Sequence, residues 1–303
     1  MPARTASRLG RWLVSGPPML YLILFFAVPS LIMVLASFRT PGEFGGLAPL
    51  VEEGKLDLNL DSYARFFSES VYAQIFLKSL WYALLTTLFC LVLAYPLASL
   101  IARSSKRYRD LLLLLVILPF WSNFLIRVYA WMIILGPNAA LAKTVNGVLA
   151  WFGHDPVPLL FSAFAVLVCL VYVHLPFMVL PLYANLEKHD QALLDAAQDL
   201  GANRWQRFWR ITFPLSLPGV YAGAALVFIP AFGIFAIPDI LGGPSDSLIG
   251  NVIKQQFLET RDWPFGSVLS IVLTVTALAL AGLAAWIARH NFGTPSSSKE
   301  ARA

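Results

Sequence analysis

Charge is scarce in this sequence: 13% of its 303 residues are Asp, Glu, Lys or Arg, against 58% hydrophobic ones, and the mean hydropathy is +0.70. Soluble domains carry about 25% charged residues, so this shortage points away from a soluble globular chain and towards a polytopic membrane protein. Cysteine is nearly absent. Cys90 and Cys169 fall in the middle of apolar runs with no set of ligand residues around them; they read as small packing residues and say nothing about redox compartment. The four histidines, His154, His174, His189 and His290, are scattered at spacings unlike any metal site. A phosphate-binding glycine loop, a nucleophile motif and paired carboxylates within an apolar run are all missing, so catalysis by this chain alone is not expected. Internal repeats, low-complexity linkers and a soluble domain are missing as well.

What the chain has is long apolar runs. A helix crossing the hydrocarbon core needs about 20 mostly apolar residues, and six runs qualify: 19–38, 79–101, 111–135, 159–183, 215–240 and 264–288. The sequence therefore predicts an all-α polytopic membrane protein. Its parts are a cytoplasmic N-terminus (1–18), a transmembrane domain (19–290) with a cytoplasmic loop at 184–214, and a cytoplasmic tail (291–303). The first run follows Arg4, Arg8 and Arg11 and precedes Ala36 and Ser37, in the manner of a cleaved signal peptide. It exceeds the about 7–15 apolar residues of such a signal, so it is expected to stay as a membrane helix.

Basic residues concentrate on the cytoplasmic side of membrane proteins. With both termini inside, fourteen of the 22 Lys and Arg fall inside and seven outside; the remaining one, Arg127, lies within the third run. Of the 17 acids, eleven fall outside and six inside. The net charge of +5 is thus a signal of topology in a lipid bilayer, with no nucleic-acid partner implied.

The inner loop is the most patterned of the extramembrane pieces. Asp190 can cap a helix in which Leu193, Ala196, Ala197 and Leu200 share one face. Gly201 stops it, and Asn203 can cap a second helix with Trp205, Phe208 and Trp209 on one stripe and Arg204, Arg207 and Arg210 on another. Pro214 and Pro218 then bracket the approach to the fifth run. The second helix suits the membrane interface. The first exposes alanines and acids on the face of the membrane where acids are fewest, which suits a cleft in a cytoplasmic protein.

The run Asp195-Ala196-Ala197, three residues, Gly201, nine residues, Ile211, one residue, Phe213-Pro214 resembles the EAA loop of ABC-importer permeases. It departs from that pattern by Asp for Glu at 195 and Phe for Leu at 213. The resemblance implies a type I ABC-importer permease fold, and a coupling helix with Asp195, Ala196, Ala197 and Gly201 docked on a cytoplasmic ATPase. From about Asp61 to about Ile287, stretches such as LPFWSNFLIRVYAWMIIL at 118–135 and LGGPSDSLIGNVIKQQFLETRDWPFG at 241–266 resemble the first of the two sister permeases of spermidine/putrescine importers. That family implies a second, different permease, a dimeric ATPase that binds the ATP and Mg, and a periplasmic substrate-binding protein. It also implies a place in the bacterial inner membrane. The open alternatives are a permease for another small solute and a non-transport scaffold.

A polyamine needs carboxylates or aromatic faces to replace water around each ammonium. Trp121, Tyr129, Trp131 and Asp239 can offer these, and all four also fit ordinary interfacial or packing roles. Arg127 is a poor neighbour for a polycation and reads as structural, with an ion pair to Asp239 as one arrangement that helix geometry allows.

Overall fold

The computed structural model describes residues 8–49, 51–52, 55–56 and 58–291. Within the expected N-terminus and tail, residues 1–7 and 292–303 lie outside the described residues. Helix α1 (Arg8–Leu22) passes through a π turn (Ile23–Ala27) into α2 (Val28–Ala36). A two-residue antiparallel pairing follows, β1 (Val51–Glu52) with β2 (Lys55–Leu56). The remainder is helical: α3 (Asp61–Ser68), α4 (Ser70–Arg103), α5 (Lys106–Ile117), α6 (Phe124–Leu135), α7 (Ala140–Trp151), α8 (Ala163–Leu186) and α9 (Gln191–Asp199). Then come α10 (Arg204–Arg207), α11 (Phe213–Phe232), α12 (Ala236–Leu241), α13 (Ile249–Leu258) and α14 (Trp263–Asn291). Among the described residues, six stretches are long and apolar enough to cross a membrane.

Two of the expected runs are divided. The run 111–135 breaks after α5, where Pro119 sits in a 3-10 turn (Leu118–Trp121) and Asn123 starts α6 afresh by accepting from the Leu125 amide at 2.8 Å. A proline without an N–H and a side chain that caps the next helix outcompete a continuous apolar rod. The stretch that qualifies as a span here therefore runs from Phe124 to Trp151, across the turn between α6 and α7. The run 215–240 likewise stops at Gly233 and resumes as the short α12. At its other end it starts early: α10, a π turn (Phe208–Thr212) and α11 are contiguous, so the helix is unbroken from Arg204 to Phe232. Pro214 falls at the start of α11, beside a π turn that already lacks regular i to i−4 bonding.

The chain divides into two compact units, residues 74–251 with 275–303, and residues 1–73 with 252–274. The larger is organised around α8, half of whose spanning stretch is buried. One apolar cluster joins α8 through Val166, Cys169 and Leu170 to Tyr82 of α4, Val128 of α6 and Ile237 of α12. A second joins Met178, Val179 and Leu182 of α8 to Cys90, Ala94 and Ala98 of α4 and Val220 and Val227 of α11. In lipid, such contacts rest on close packing of small residues, since the hydrocarbon is as apolar as the side chains. Gly219 and Gly223 supply that closeness. A Cβ on Gly219 would lie 2.7 Å from Asn185 Cβ, and one on Gly223 would lie 2.6 Å from Met178 Sδ.

In the smaller unit Arg65 of α3 is a hub. Its guanidinium donates to Glu69 at 3.0 Å, Asp262 at 3.2 Å and the Tyr72 hydroxyl at 3.0 Å, and lies 4.3 Å from the Phe265 ring centroid. Burial works against its charge, but Tyr72, Glu69 and Asp262 outweigh this and hold its pKa above the ordinary arginine value.

Candidate functional site

The inner loop folds as two helices about a glycine turn. Asp190 accepts from the Ala192 amide at 2.9 Å and starts α9. At its far end the Gly201 amide bonds Gln198 O at 2.8 Å and the Ala202 amide bonds Ala197 O at 2.9 Å, with Gly201 at φ +81°. These two bonds are a Schellman motif, which requires a left-handed residue and so favours glycine. Asn203 then closes a capping box with Gln206: Gln206 N donates to Asn203 Oδ1 at 2.8 Å, and Asn203 N donates to Gln206 Oε1 at 2.9 Å. Arg207 braces the turn by donating to Gln198 Oε1 at 2.7 Å.

Helix α9 is largely exposed. Asp195 and Ala196 are exposed and Ala197 is half-buried, while Leu193 is 50% and Leu200 89% exposed. Apolar and small side chains on a nine-residue helix this open need a cover. Between α9, α10 and the end of α4 lies a cavity of about 480 Å³, lined by Arg103, Arg204 and Arg207 against Asp195, with Leu194 and Phe208 among its walls.

The substrate-path candidates are spread over several elements. Trp121 lies on the 3-10 turn and is 75% exposed; Tyr129 on α6 is 48% exposed. Trp131 packs on Tyr172 of α8 with ring centroids 5.5 Å apart, flanking the cluster that contains Ile237 and Leu241 of α12. Asp239, on that same α12, is exposed and accepts from the Asn251 amide nitrogen, which also donates to Phe235 O at 3.0 Å. Arg127 does not pair with Asp239. Its guanidinium lies over the Phe120 ring, 5.4 Å from the centroid, and its buried Nε has no hydrogen-bond partner.

Several polar links had no local signal. The Lys78 ammonium reaches the Ser245 carbonyl and Asp246 Oδ1, the latter at 3.3 Å, and lies 5.8 Å from the Tyr82 ring centroid. Arg109 pairs with Glu187 at 2.6 Å, tying the start of α5 to the end of α8. Tyr95 of α4 and Ser216 of α11 share a hydrogen bond of 2.9 Å. Partners 78 to 168 residues apart leave no periodic trace in the sequence. Among the described residues, no group of three or more metal-binding side chains gathers.

Among the described residues, six stretches are long and apolar enough to span a bilayer, α8 and α11 of the larger unit pack through glycines, and a patterned loop lies between the fourth and fifth stretches, the marks of a polytopic membrane protein. Residues 94–291 match the family described as binding-protein-dependent transport system inner membrane component, and the chain belongs to it. It is 46% identical over 257 residues to the spermidine/putrescine transport system permease protein PotB of Salmonella typhimurium, covering 84% of this chain and 85% of that one. The protein of the same name from Haemophilus influenzae is 42% identical, covering 84% and 86%. In fold it is similar to a chain of the bacterial alginate ABC transporter in complex with alginate pentasaccharide-bound periplasmic protein, with a TM-score of 0.71, 20% identity and coverage of 95% and 98%. The chain is thus an inner-membrane permease subunit of an ABC importer, and not itself an enzyme.

Proposed function

We propose that this permease, together with a second and different one, carries a polyamine such as putrescine or spermidine into the cytoplasm. A periplasmic binding protein delivers the substrate, a dimeric cytoplasmic ATPase binds the ATP and Mg and drives the cycle, and both termini of this chain face the cytoplasm. The relatives named as spermidine/putrescine permeases support the substrate class. The observation that carries the coupling reading is the exposure of α9, with Asp195 and Ala196 outward on a helix fixed by the left-handed Gly201.

In this reading α9 sits in a groove of the ATPase, where alanines allow close approach and Asp195 meets a cation. Closure of the ATPase dimer pushes α9, and the Gly201 turn passes the displacement to α10. Because the helix is continuous from Arg204 to Phe232, α11 moves as one lever against α8. Asp239 and the aromatic faces of Trp121, Tyr129 and Trp131 exchange with water around the ammonium groups on the outer side, and Arg127 is structural.

An Ala196→Cys substitution tests the docking in the complete complex. Both natural cysteines of this chain are buried, so a maleimide–benzophenone reagent should attach at position 196 and, on irradiation, insert into a C–H bond of the ATPase subunit. A complex that assembles and turns over ATP without that adduct would contradict the placement of α9.

A further inference from the structure

The cavity beside the coupling elbow carries guanidinium groups that docking of α9 does not use. Three guanidinium groups, from Arg103, Arg204 and Arg207, line it against the single carboxylate of Asp195. Among the described residues, neither Arg103 nor Arg204 forms an ion pair or side-chain hydrogen bond, and Asp195 pairs with neither. Arg207 is held in place by Gln198 at 2.7 Å. The cavity is therefore net positive, and arginine forks match phosphate oxygens bidentately. Its volume of about 480 Å³ is that of about sixteen waters in the liquid, room for a headgroup.

A second, independent feature points to the source of the phosphate. Trp205 and Trp209 stack with their rings 6° from parallel and centroids 6.4 Å apart, on the same helical segment as Arg204 and Arg207. They are 69% and 54% exposed, as tryptophans are at the headgroup level of a bilayer. We infer that this cavity binds the phosphate of an anionic phospholipid headgroup, wedged between the coupling helix and the start of the fifth span. The bound headgroup would brace α9 against α10, making the coupling elbow stiffer in anionic than in zwitterionic membranes. The inference is independent of which solute the importer carries.

The complete importer in nanodiscs of phosphatidylcholine with graded phosphatidylglycerol provides the test, with bound phosphatidylglycerol counted by mass spectrometry. Arg103→Gln and Arg204→Gln should each weaken its association about fivefold. Arg210→Gln removes the same charge from the neighbouring turn, outside the cavity, and should leave it nearly unchanged. Equal loss in all three variants would mean a diffuse attraction and overturn the site. So would shedding of the ATPase subunit with phosphatidylglycerol retained, which would assign the arginines to a protein partner. Phosphatidylglycerol counts that do not respond to Arg103→Gln and Arg204→Gln, with inorganic phosphate protecting both arginines in pure phosphatidylcholine discs, would overturn the lipid source and leave a free-phosphate site. Should a variant fail to assemble, phenylglyoxal on the wild-type complex decides: phosphatidylglycerol discs should protect Arg103 and Arg204 but not Arg210, and uniform labelling would overturn the inference.

Discussion

Arg207 donates to Gln198 across the Gly201 turn, Nη1 to Oε1 at 2.7 Å. This bond ties the last turn of the exposed α9 to the first turn of the helix that becomes the fifth span. The elbow is therefore held by backbone geometry and by one side-chain strut, with no slack loop between α9 and α10.

Gly201→Val should uncouple transport without unfolding the chain. A Cβ there meets nothing within 4 Å, so the penalty begins with the φ of +81°, about 1–2 kcal/mol for any residue with a Cβ and more for a β-branched one. Substrate-stimulated ATP hydrolysis and uptake should fall in reconstituted vesicles while the amount of assembled complex stays the same. Gly201→Asn, which tolerates this conformation, should recover most of the activity.

Gly223→Val should act on the bundle itself. Its Cβ would stand 2.6 Å from Met178 Sδ and 3.2 Å from Met178 O, with Met178 fully buried, an overpacking that costs about 1–3 kcal/mol. Thermal unfolding in detergent should shift down. Gly282→Ala, in α14 with open space around it, should leave the transition unchanged or raise it slightly.

Asp246 and Lys78 should differ in cost although they form one pair. Asp246 Oδ1 meets Lys78 at 3.3 Å while Oδ2 accepts from the Gly243 amide at 3.1 Å, so Asp246→Ala leaves that amide without its acceptor and the Lys78 charge with the Ser245 carbonyl alone. Lys78→Ala leaves Asp246 its amide donor. Unfolding of the two variants should show the larger loss, about 1–3 kcal/mol, for Asp246→Ala.

Asp239→Asn keeps an oxygen for the Asn251 amide and removes the charge. If Asp239 contacts an ammonium group of the substrate, half-saturating putrescine for uptake should rise about tenfold, as loss of a charged hydrogen bond implies. Co-purification of the permeases and ATPase should be unaffected. Equal loss of uptake and assembly would make Asp239 structural.

The elbow was legible in the sequence because each of its parts is local: the Asp190 cap, the one-faced Leu193, Ala196, Ala197 and Leu200, the left-handed Gly201 and the Asn203 cap all act within a few residues. The number of long stretches was legible for the same reason, since hydropathy is summed over a window, but the third lies at Phe124–Trp151 and not at 111–135. Their interruptions were not. Pro119 and Asn123 lie inside an apolar run whose composition hides a break, and proline within a span is often tolerated. The approach to the fifth span misled in the opposite sense: Pro214 looked like a boundary, but a π turn before it keeps the helix whole. The Arg127–Asp239 pair followed from matching depth along two helices, and depth alone does not fix rotation; Arg127 turns to Phe120 instead. The links from Lys78 to Asp246 and from Arg109 to Glu187 depend on tertiary packing alone.

Uptake by the complete complex in vesicles tests the central reading most directly. With ATP on the side of the ATPase and binding protein on the other, labelled putrescine or spermidine should accumulate against its gradient, and unrelated solutes should not. Accumulation of the amines without ATP, or ATP-driven accumulation of a different solute with both amines excluded, would contradict it.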